Sequence, residues 1–155
     1  MTPEVAQRVS FHGWVGHRPQ LIEHYYQGDI FVLPSICNDS FGIPVVEAMA
    51  AGAPVVASRS GGVVETVKDR ETGFIVEKND AQQLAQALLQ LLEDDALRET
   101  MGRAGRERAL AYFTWDKVAE TMLRRYQALS GAGSSLPTEA SSKPSLDYAS
   151  AHLAS

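Results

Sequence analysis

Four short apolar runs, separated by helical segments, constrain the fold of this chain most strongly. The runs occupy residues 9–11, 29–33, 54–57 and 73–76. Each run is mostly apolar rather than strictly alternating with polar residues, which is typical of strands that are covered on both faces. Strands that alternate with helices over short loops indicate a mainly parallel sheet. We therefore predict an α/β fold, with a parallel sheet of about four strands and flanking helices.

The segments between and after these runs carry helix start and stop signals. Pro44 suits a first helical turn and Gly52 a helix end, while Asn79 or Asp80 suits an N-cap. Apolar residues then recur on one face from Ala81 onward, as an amphipathic helix requires. We predict helices over about residues 18–27, 44–51, 62–69, 81–92, 96–111 and 114–129.

The composition changes near residue 130. Residues 131–155 are rich in Ser, Ala and Pro and show no sustained periodicity. Such a segment cannot bury enough apolar surface to offset the entropy lost on ordering, so we predict that it is disordered. Residues 1–130 are then predicted to form the domain.

Composition and charge narrow the classes of function. The net charge is −5 and the basic residues are scattered, which argues against nucleic acid as a partner. No apolar run approaches the roughly 20 residues needed to cross a bilayer, and no secretory signal is visible, so we expect a cytoplasmic protein. Cys37 is the single cysteine, and it shows no metal-ligand spacing with the histidines. We predict no metal site.

The stretch from residue 34 to residue 65 is the strongest candidate for chemistry. A polar loop follows the run 29–33 and leads through Gly42 into a predicted helix. Ligands of open α/β sheets bind at the carboxyl ends of the strands, and a helix N-terminus suits a phosphate or a sugar hydroxyl. Gly42 allows the backbone to approach a ligand closely, since no Cβ intervenes.

Two carboxylates, Asp39 and Glu47, lie eight positions apart in this stretch. Ionised carboxylates only accept hydrogen bonds, so a pair that faces one cleft would suit sugar hydroxyls. Spacing alone leaves a second interpretation open, in which Asp39 caps the helix or a turn and Glu47 is a solvated helix residue.

The same stretch resembles the donor-site signature of GT-B glycosyltransferases of family four. That signature reads E-x-F-G-[IL]-x-x-x-E-A-M-A-x-G-x-P-V-V-A-S and continues with G-G-x-x-E. This chain matches it through Phe41-Gly42-Ile43, Glu47-Ala48-Met49-Ala50 and Gly61-Gly62, and Phe113-Thr114-Trp115 is similar to the family's F-S-W. The resemblance covers about residues 8–129 and implies the C-terminal, nucleotide-sugar-binding part of a GT-B fold.

The resemblance also implies roles for individual residues. Glu47 would bind the ribose hydroxyls, and Asp39, where the family usually has the longer Glu, would face the transferred sugar. Backbone N–H groups of Phe41, Gly42 and Ile43 would bind sugar and phosphate oxygens. Val15 and Trp14 would contact the nucleobase. For Trp14 a second interpretation stays open, in which it is a partly buried structural residue.

The implied reaction moves a hexose from a nucleoside-diphosphate sugar to an acceptor hydroxyl with retention, without a metal or a further cofactor. In the family an Arg and a Lys that precede the matched segment stabilise the diphosphate, and the acceptor domain lies elsewhere. We therefore expect a fragment that is not active alone and that works with a partner chain supplying the acceptor domain. The alternatives are a non-catalytic nucleotide-sugar-binding or regulatory module and a GT-B-like epimerase.

Two further expectations concern the sheet and the arginines. The four runs would correspond to strands 3 to 6 of the order 3-2-1-4-5-6, so either strand 3 pairs with strand 4 or an open edge remains. Arg59 and Arg70 could be considered as substitutes for the family's diphosphate-binding Arg and Lys, but nothing in the sequence pattern places them beside the diphosphate. Arg103, Arg106 and Arg108 are interpreted as a solvated helix face.

Overall fold

A computed structural model provides the structure of this protein and describes residues 2–37 and 41–130. Its sheet has three parallel strands in the order β1-β2-β3, which are β1 (Phe31–Leu33), β2 (Val55–Ser58) and β3 (Gly73–Val76). Phe31 lies opposite Val55 in β2, and Val55 in turn lies opposite Gly73. The predicted α/β class with a parallel sheet is confirmed.

Helices connect and follow the strands. They are α1 (Pro3–Ala6), α2 (Arg18–Gln27), α3 (Ile43–Ala51), α4 (Val63–Thr66), α5 (Ala81–Glu93), α6 (Asp95–Tyr112) and α7 (Trp115–Ser130). The Asp80 carboxylate accepts from the Gln83 N–H and caps α5, and Gly52 ends α3 at φ 92°. α4 is shorter than predicted because Val67 adopts extended backbone angles.

The prediction of a strand at residues 9–11 is wrong. Val9 and Phe11 are exposed, Phe11 at 86%, so no described element covers this run. A strand also needs a neighbour that accepts and donates its backbone hydrogen bonds, and β1 pairs only with β2 among the described residues. Within residues 2–37 and 41–130 the sheet therefore has three strands rather than four, and β1 lies at one edge of it.

The uniformly apolar strands are explained by burial on both faces of the sheet. On one face Val55 and Ala57 pack with Val45, Ala48 and Met49 of α3. On the other face Val56 packs with residues of α5 and α6, among them Leu91 and Met101. α3 is thus fixed against the sheet by three residues that have no exposed surface.

α6 approaches α3 closely because Gly102 has no side chain. A Cβ on Gly102 would lie 2.2 Å from the carbonyl oxygen of Gly52, the residue that ends α3. In the same contact Arg106 donates from Nη1 to the Ala50 carbonyl oxygen at 2.5 Å. The C-terminal end of α3 is therefore held by backbone-to-backbone packing and by a side-chain hydrogen bond.

Contacts divide the chain into two units, residues 1–120 and 121–155. The described part of the second unit, residues 121–130, is helical. The predicted disorder of residues 131–155 and the predicted domain end near residue 130 lie at or beyond the described residues and stay predictions. Among the described helices, none is long and apolar enough to span a membrane.

Candidate functional site

The N-terminus of α3 begins at a glycine in the left-handed region. Gly42 has φ 74° and ψ 50°, and a Cβ there would lie 2.9 Å from Cγ2 of Val63. Both observations favour glycine at this position. The N–H groups of Gly42 and Ile43 have no acceptor among the described residues, and the first turn carries no acidic side chain. Toward the described residues, this end of α3 therefore presents two N–H donors without an acceptor, together with the positive end of the helix dipole.

Glu47 lies in α3 and is half-buried. The Tyr25 hydroxyl, on α2, donates to Oε2 of Glu47 at 3.1 Å. Because the neighbouring Ala48 and Met49 are anchored in the core, the helix and the tyrosine together fix where this carboxylate lies. The interpretation of Glu47 as a freely solvated helix residue is therefore wrong.

The environment of Tyr25 favours its neutral, hydrogen-bond-donating form. Burial, then the negative charge of Glu47 and then the hydrogen bond to it, raise the pKa of Tyr25 from its ordinary 10.0 to about 12. Tyr25 therefore remains a donor to Glu47 throughout the physiological range of pH.

A cavity of about 370 Å³ lies beside this pair, between α2, α3 and the loop that precedes α2. Glu47 and Val15 both line it, so two residues predicted to bind the donor are brought together. Its size is within the range of small-molecule sites. Besides these two, its lining consists of Gly16, Arg18, Leu21, Ile22, Tyr25, Tyr26, Ala50 and Ala51.

The other predicted residues lie in different surroundings. Trp14 is 94% exposed and does not line the cavity, so the alternative of a partly buried structural tryptophan is wrong. Ile43 is exposed as the first residue of α3. Phe41 packs edge-to-face on Phe113, with ring centroids 5.8 Å apart. Asp39 lies outside the described residues, so its role stays a prediction.

The interpretation of the α6 arginines as a solvated face is wrong for Arg108, which is half-buried. Arg108 donates from Nε to the Thr66 carbonyl oxygen at 2.8 Å and from Nη2 to that of Glu65 at 2.7 Å. Arg106 contacts α3, as described above. Arg103 and Arg106 are both exposed, and Arg103 makes no hydrogen bond to a described residue. The spacing of these residues does not reveal which carbonyl groups lie within reach.

Two side chains of the segment that follows β2, those of Arg59 and Ser60, make contacts near the carboxyl ends of the strands. The buried Ser60 donates from Oγ to the Cys37 carbonyl oxygen at 2.8 Å. Arg59 forms an ion pair with Glu77, with Nε and Oε1 2.6 Å apart. The positive charge of Arg59 is thus directed toward the end of β3.

Comparisons with known proteins identify the family of this chain. The family model described as "Glycosyl transferases group 1" matches residues 3–108. The chain belongs to this family.

Among curated relatives, a D-inositol 3-phosphate glycosyltransferase of Corynebacterium diphtheriae is 44% identical over 120 residues, which are 76% of this chain and 27% of that protein. A phosphatidyl-myo-inositol mannosyltransferase of Mycobacterium leprae is 42% identical over 106 residues, covering 68% of this chain and 28% of that protein. This chain thus spans little more than a quarter of the length of these two relatives.

Solved structures show the same correspondence. Sucrose-phosphate synthase from Thermosynechococcus elongatus matches at a TM-score of 0.74 and 38% identity, over 84% of this chain and 32% of that one. The HepE protein of Anabaena, solved with UDP, matches at a TM-score of 0.70 and 29% identity, over 83% of this chain and 34% of that one. The C-terminal domain of a glycosyl transferase group 1 protein from Francisella tularensis matches at a TM-score of 0.63 and 30% identity, over 68% of this chain and 53% of that one. The predicted family and GT-B-type fold are confirmed.

The family match favours a transferase over the epimerase alternative. The sequence alone did not identify Tyr25 as a neighbour of Glu47 or Phe113 as a neighbour of Phe41. Tyr25 stands 22 positions from Glu47, and no local pattern connects the two. Phe113 belongs to the matched Phe-Thr-Trp, but that pattern only predicts the start of a helix.

Proposed function

We propose that this chain supplies the nucleotide-binding half of the donor site of a glycosyltransferase, which transfers a sugar from a nucleoside-diphosphate sugar to an acceptor hydroxyl. The observation that carries the proposal is the position of Glu47, which Tyr25 holds beside a cavity that Val15 also lines. A fixed carboxylate next to an apolar surface is the arrangement that a ribose and its base require.

In this proposal each part of the donor has its own partner. The Glu47 carboxylate accepts hydrogen bonds from the ribose hydroxyls, and the loop at Val15 contacts the base. The N–H groups of Gly42 and Ile43 bind oxygens of the diphosphate or of the sugar, where the helix dipole stabilises negative charge. By the family resemblance Asp39 faces the transferred sugar, the anomeric configuration is retained, and no metal or further cofactor takes part.

The remainder of the proposed reaction depends on groups beyond those described. An acceptor-binding surface and cations for the departing diphosphate would come from further sequence or from a partner chain. Stabilising the negative charge of that diphosphate is the largest electrostatic requirement of the reaction.

A non-catalytic nucleotide-sugar-binding module is the second candidate, and the state of two arginines favours it. Arg59 is paired with Glu77, and Arg108 is hydrogen-bonded to two carbonyl groups. In these positions neither guanidinium neutralises a diphosphate at α3. Binding without transfer, measured also in the presence of a partner chain that carries an acceptor domain, would favour this candidate.

Both candidate functions require nucleotide-sugar binding, which calorimetric titration with UDP, GDP, UDP-glucose and GDP-mannose tests. We expect one nucleotide series to bind, and Glu47→Gln to weaken binding by about 10- to 100-fold, since a hydrogen bond to a charged group contributes roughly 1.5–3 kcal/mol. Glu23→Gln is the matched control, because Glu23 is exposed on α2 and its carboxylate contacts only Gln27 among the described residues. Equal affinities for the two variants would contradict the role of Glu47.

A further inference from the structure

The dipeptide Phe41-Gly42, immediately before α3, is packed from two sides. α4 lies against Gly42 so closely that Val63 Cγ2 would be 2.9 Å from a Cβ there. On the other side the ring of Phe113 meets the ring of Phe41 at an interplanar angle of 81°. The direction of the Gly42 and Ile43 N–H groups therefore depends on where α4 and Phe113 lie.

Arg108 connects these two sides through its guanidinium. Two of its nitrogens donate to the carbonyl oxygens of Glu65 and Thr66, the last residues of α4. Its Cζ also lies 5.4 Å from the ring centroid of Phe113 and 5.3 Å from that of Tyr112. One side chain thus contacts both elements that pack on Phe41-Gly42.

The chemistry of these contacts favours arginine over lysine. Carbonyl groups at the end of a helix have no partner within the helix, and a planar guanidinium can satisfy two of them at fixed positions. The same planar group can lie over an aromatic ring while its edge donates hydrogen bonds. Lysine offers a single charged nitrogen on a flexible stem, so it cannot make all of these contacts at once.

We propose that Arg108 and Phe113 are positioning residues for the donor site: they hold Phe41-Gly42 so that the N–H groups of Gly42 and Ile43, at the start of α3, face the diphosphate–sugar part of the donor. The inference rests on the proposed function. It adds residues of α6 and of its C-cap, more than 60 positions from Gly42 in sequence, to the parts of the chain on which donor binding depends.

The contact itself can be tested without a ligand. The chain has five phenylalanines, so replacement by para-fluorophenylalanine gives five fluorine NMR signals, and Phe41→Leu and Phe113→Leu assign two of them. We expect Arg108→Gln to shift or broaden the signals of Phe41 and Phe113, and Arg108→Lys to do so less. An unchanged Phe41 signal in a folded Arg108→Gln protein would overturn the positioning role.

The matched control separates positioning from stability. Arg106 lies on the same helix and also donates to a backbone carbonyl, that of Ala50 at the end of α3. Arg106→Gln removes a comparable contact, and no contact of Arg106 with Phe113 is seen. We expect it to lower the unfolding midpoint while the Phe41 signal keeps its wild-type position.

The donor role is tested by comparing a nucleoside with its nucleotide sugar. We expect Arg108→Gln and Phe113→Leu to weaken UDP-glucose or GDP-mannose by about 10-fold, the effect of roughly one misplaced hydrogen-bond donor, and to leave uridine or guanosine binding unchanged. Phe113→Tyr, which keeps the ring, should restore wild-type affinity.

An equal loss for nucleoside and nucleotide sugar, or an equal loss in Arg106→Gln, would overturn the donor role. A wild-type chain that binds none of these compounds would remove the proposed function and the donor role together. The fluorine signals would then still decide whether Arg108 orders the two rings, so the two failures are distinguishable.

Discussion

The two regions that are proposed to meet around one nucleotide are held in very different ways. Around Glu47, the residues Val45, Ala48 and Met49 have no exposed surface, and α6 closes on the end of α3. Around Val15, the neighbouring side chains of Phe11 and Trp14 are 86% and 94% exposed. The carboxylate is thus fixed by the core, whereas the loop before α2 contributes little to the core.

This difference shows which part of the site the fold determines. A hydrogen-bonding carboxylate must be placed within a few tenths of an ångström, and burial of the helix that carries it provides that precision. The loop at Val15 would contact a flat base, which tolerates a looser arrangement. The comparison predicts that substitutions in the two regions separate stability from binding.

The largest effect on stability is expected from the α3 side of the comparison. Met49→Ala removes a fully buried side chain and should lower the free energy of unfolding by about 2–5 kcal/mol, whereas Trp14→Ala should change it by about 0.5 kcal/mol or less. Chemical denaturation of both variants measures the contrast. A comparable loss for Trp14→Ala would show that the N-terminal loop belongs to the core.

The contact between α6 and α3 offers a sharper pair of variants. Gly102→Ala would bring a Cβ to 2.2 Å from the Gly52 carbonyl oxygen, and such overpacking should cost about 1–3 kcal/mol. Gly105→Ala is the matched control. Its Cβ would lie 3.5 Å from the nearest atom, the Thr72 carbonyl oxygen, which is an ordinary contact, and alanine favours the helix by up to about 1 kcal/mol.

Close packing of α3 and α6 is supported if Gly102→Ala lowers the midpoint of thermal unfolding and Gly105→Ala raises it. Stabilisation by both would mean that α6 stands farther from α3 than described, and that α3 is held less firmly than the comparison requires.

The smallest effect concerns the titration of Tyr25. Because its pKa is raised from 10.0 to about 12, the neutral tyrosine stabilises the fold fully below pH 10, and this contribution is lost as the pH rises toward about 12. Glu47→Gln should lower the pKa of Tyr25 but leave it above 10.0, since burial is the largest cause of the shift.

Ultraviolet titration of the five tyrosines, with Tyr25→Phe to identify the signal, measures this pKa. An unchanged pKa of Tyr25 in Glu47→Gln would show that the two side chains do not interact in solution.

Local patterns allowed much of the fold to be predicted, and the failures have a common cause. The bounds of α2 depend on nearby residues and are confirmed, and of the two residues predicted to cap α5, Asn79 and Asp80, the structure selects Asp80. The run at residues 9–11 has the same composition as a strand, but strand formation depends on a distant partner. The short α4 likewise ends where its residues enter tertiary contacts.

The candidate site divides along the same line. Gly42 and Glu47 could be proposed from a contiguous motif, and the cavity brings Glu47 together with Val15. Tyr25 and Arg108 could not be found, because their hydrogen-bond partners are 22 and more than 40 positions away. Long-range hydrogen bonds of polar side chains, whether to a side chain or to the backbone, leave no periodic signal in a single sequence.

The central claim, that Glu47 binds the ribose of a nucleotide, is tested most directly by combining a change in the protein with a change in the ligand. Calorimetry compares UDP with 2′-deoxy-UDP, or GDP with 2′-deoxy-GDP. The wild-type chain should bind the ligand without the 2′-hydroxyl about 10-fold or more weakly. In Glu47→Gln the two ligands should bind almost equally weakly, while Glu23→Gln should behave like the wild type. An undiminished preference for the ribonucleotide in Glu47→Gln would contradict the account.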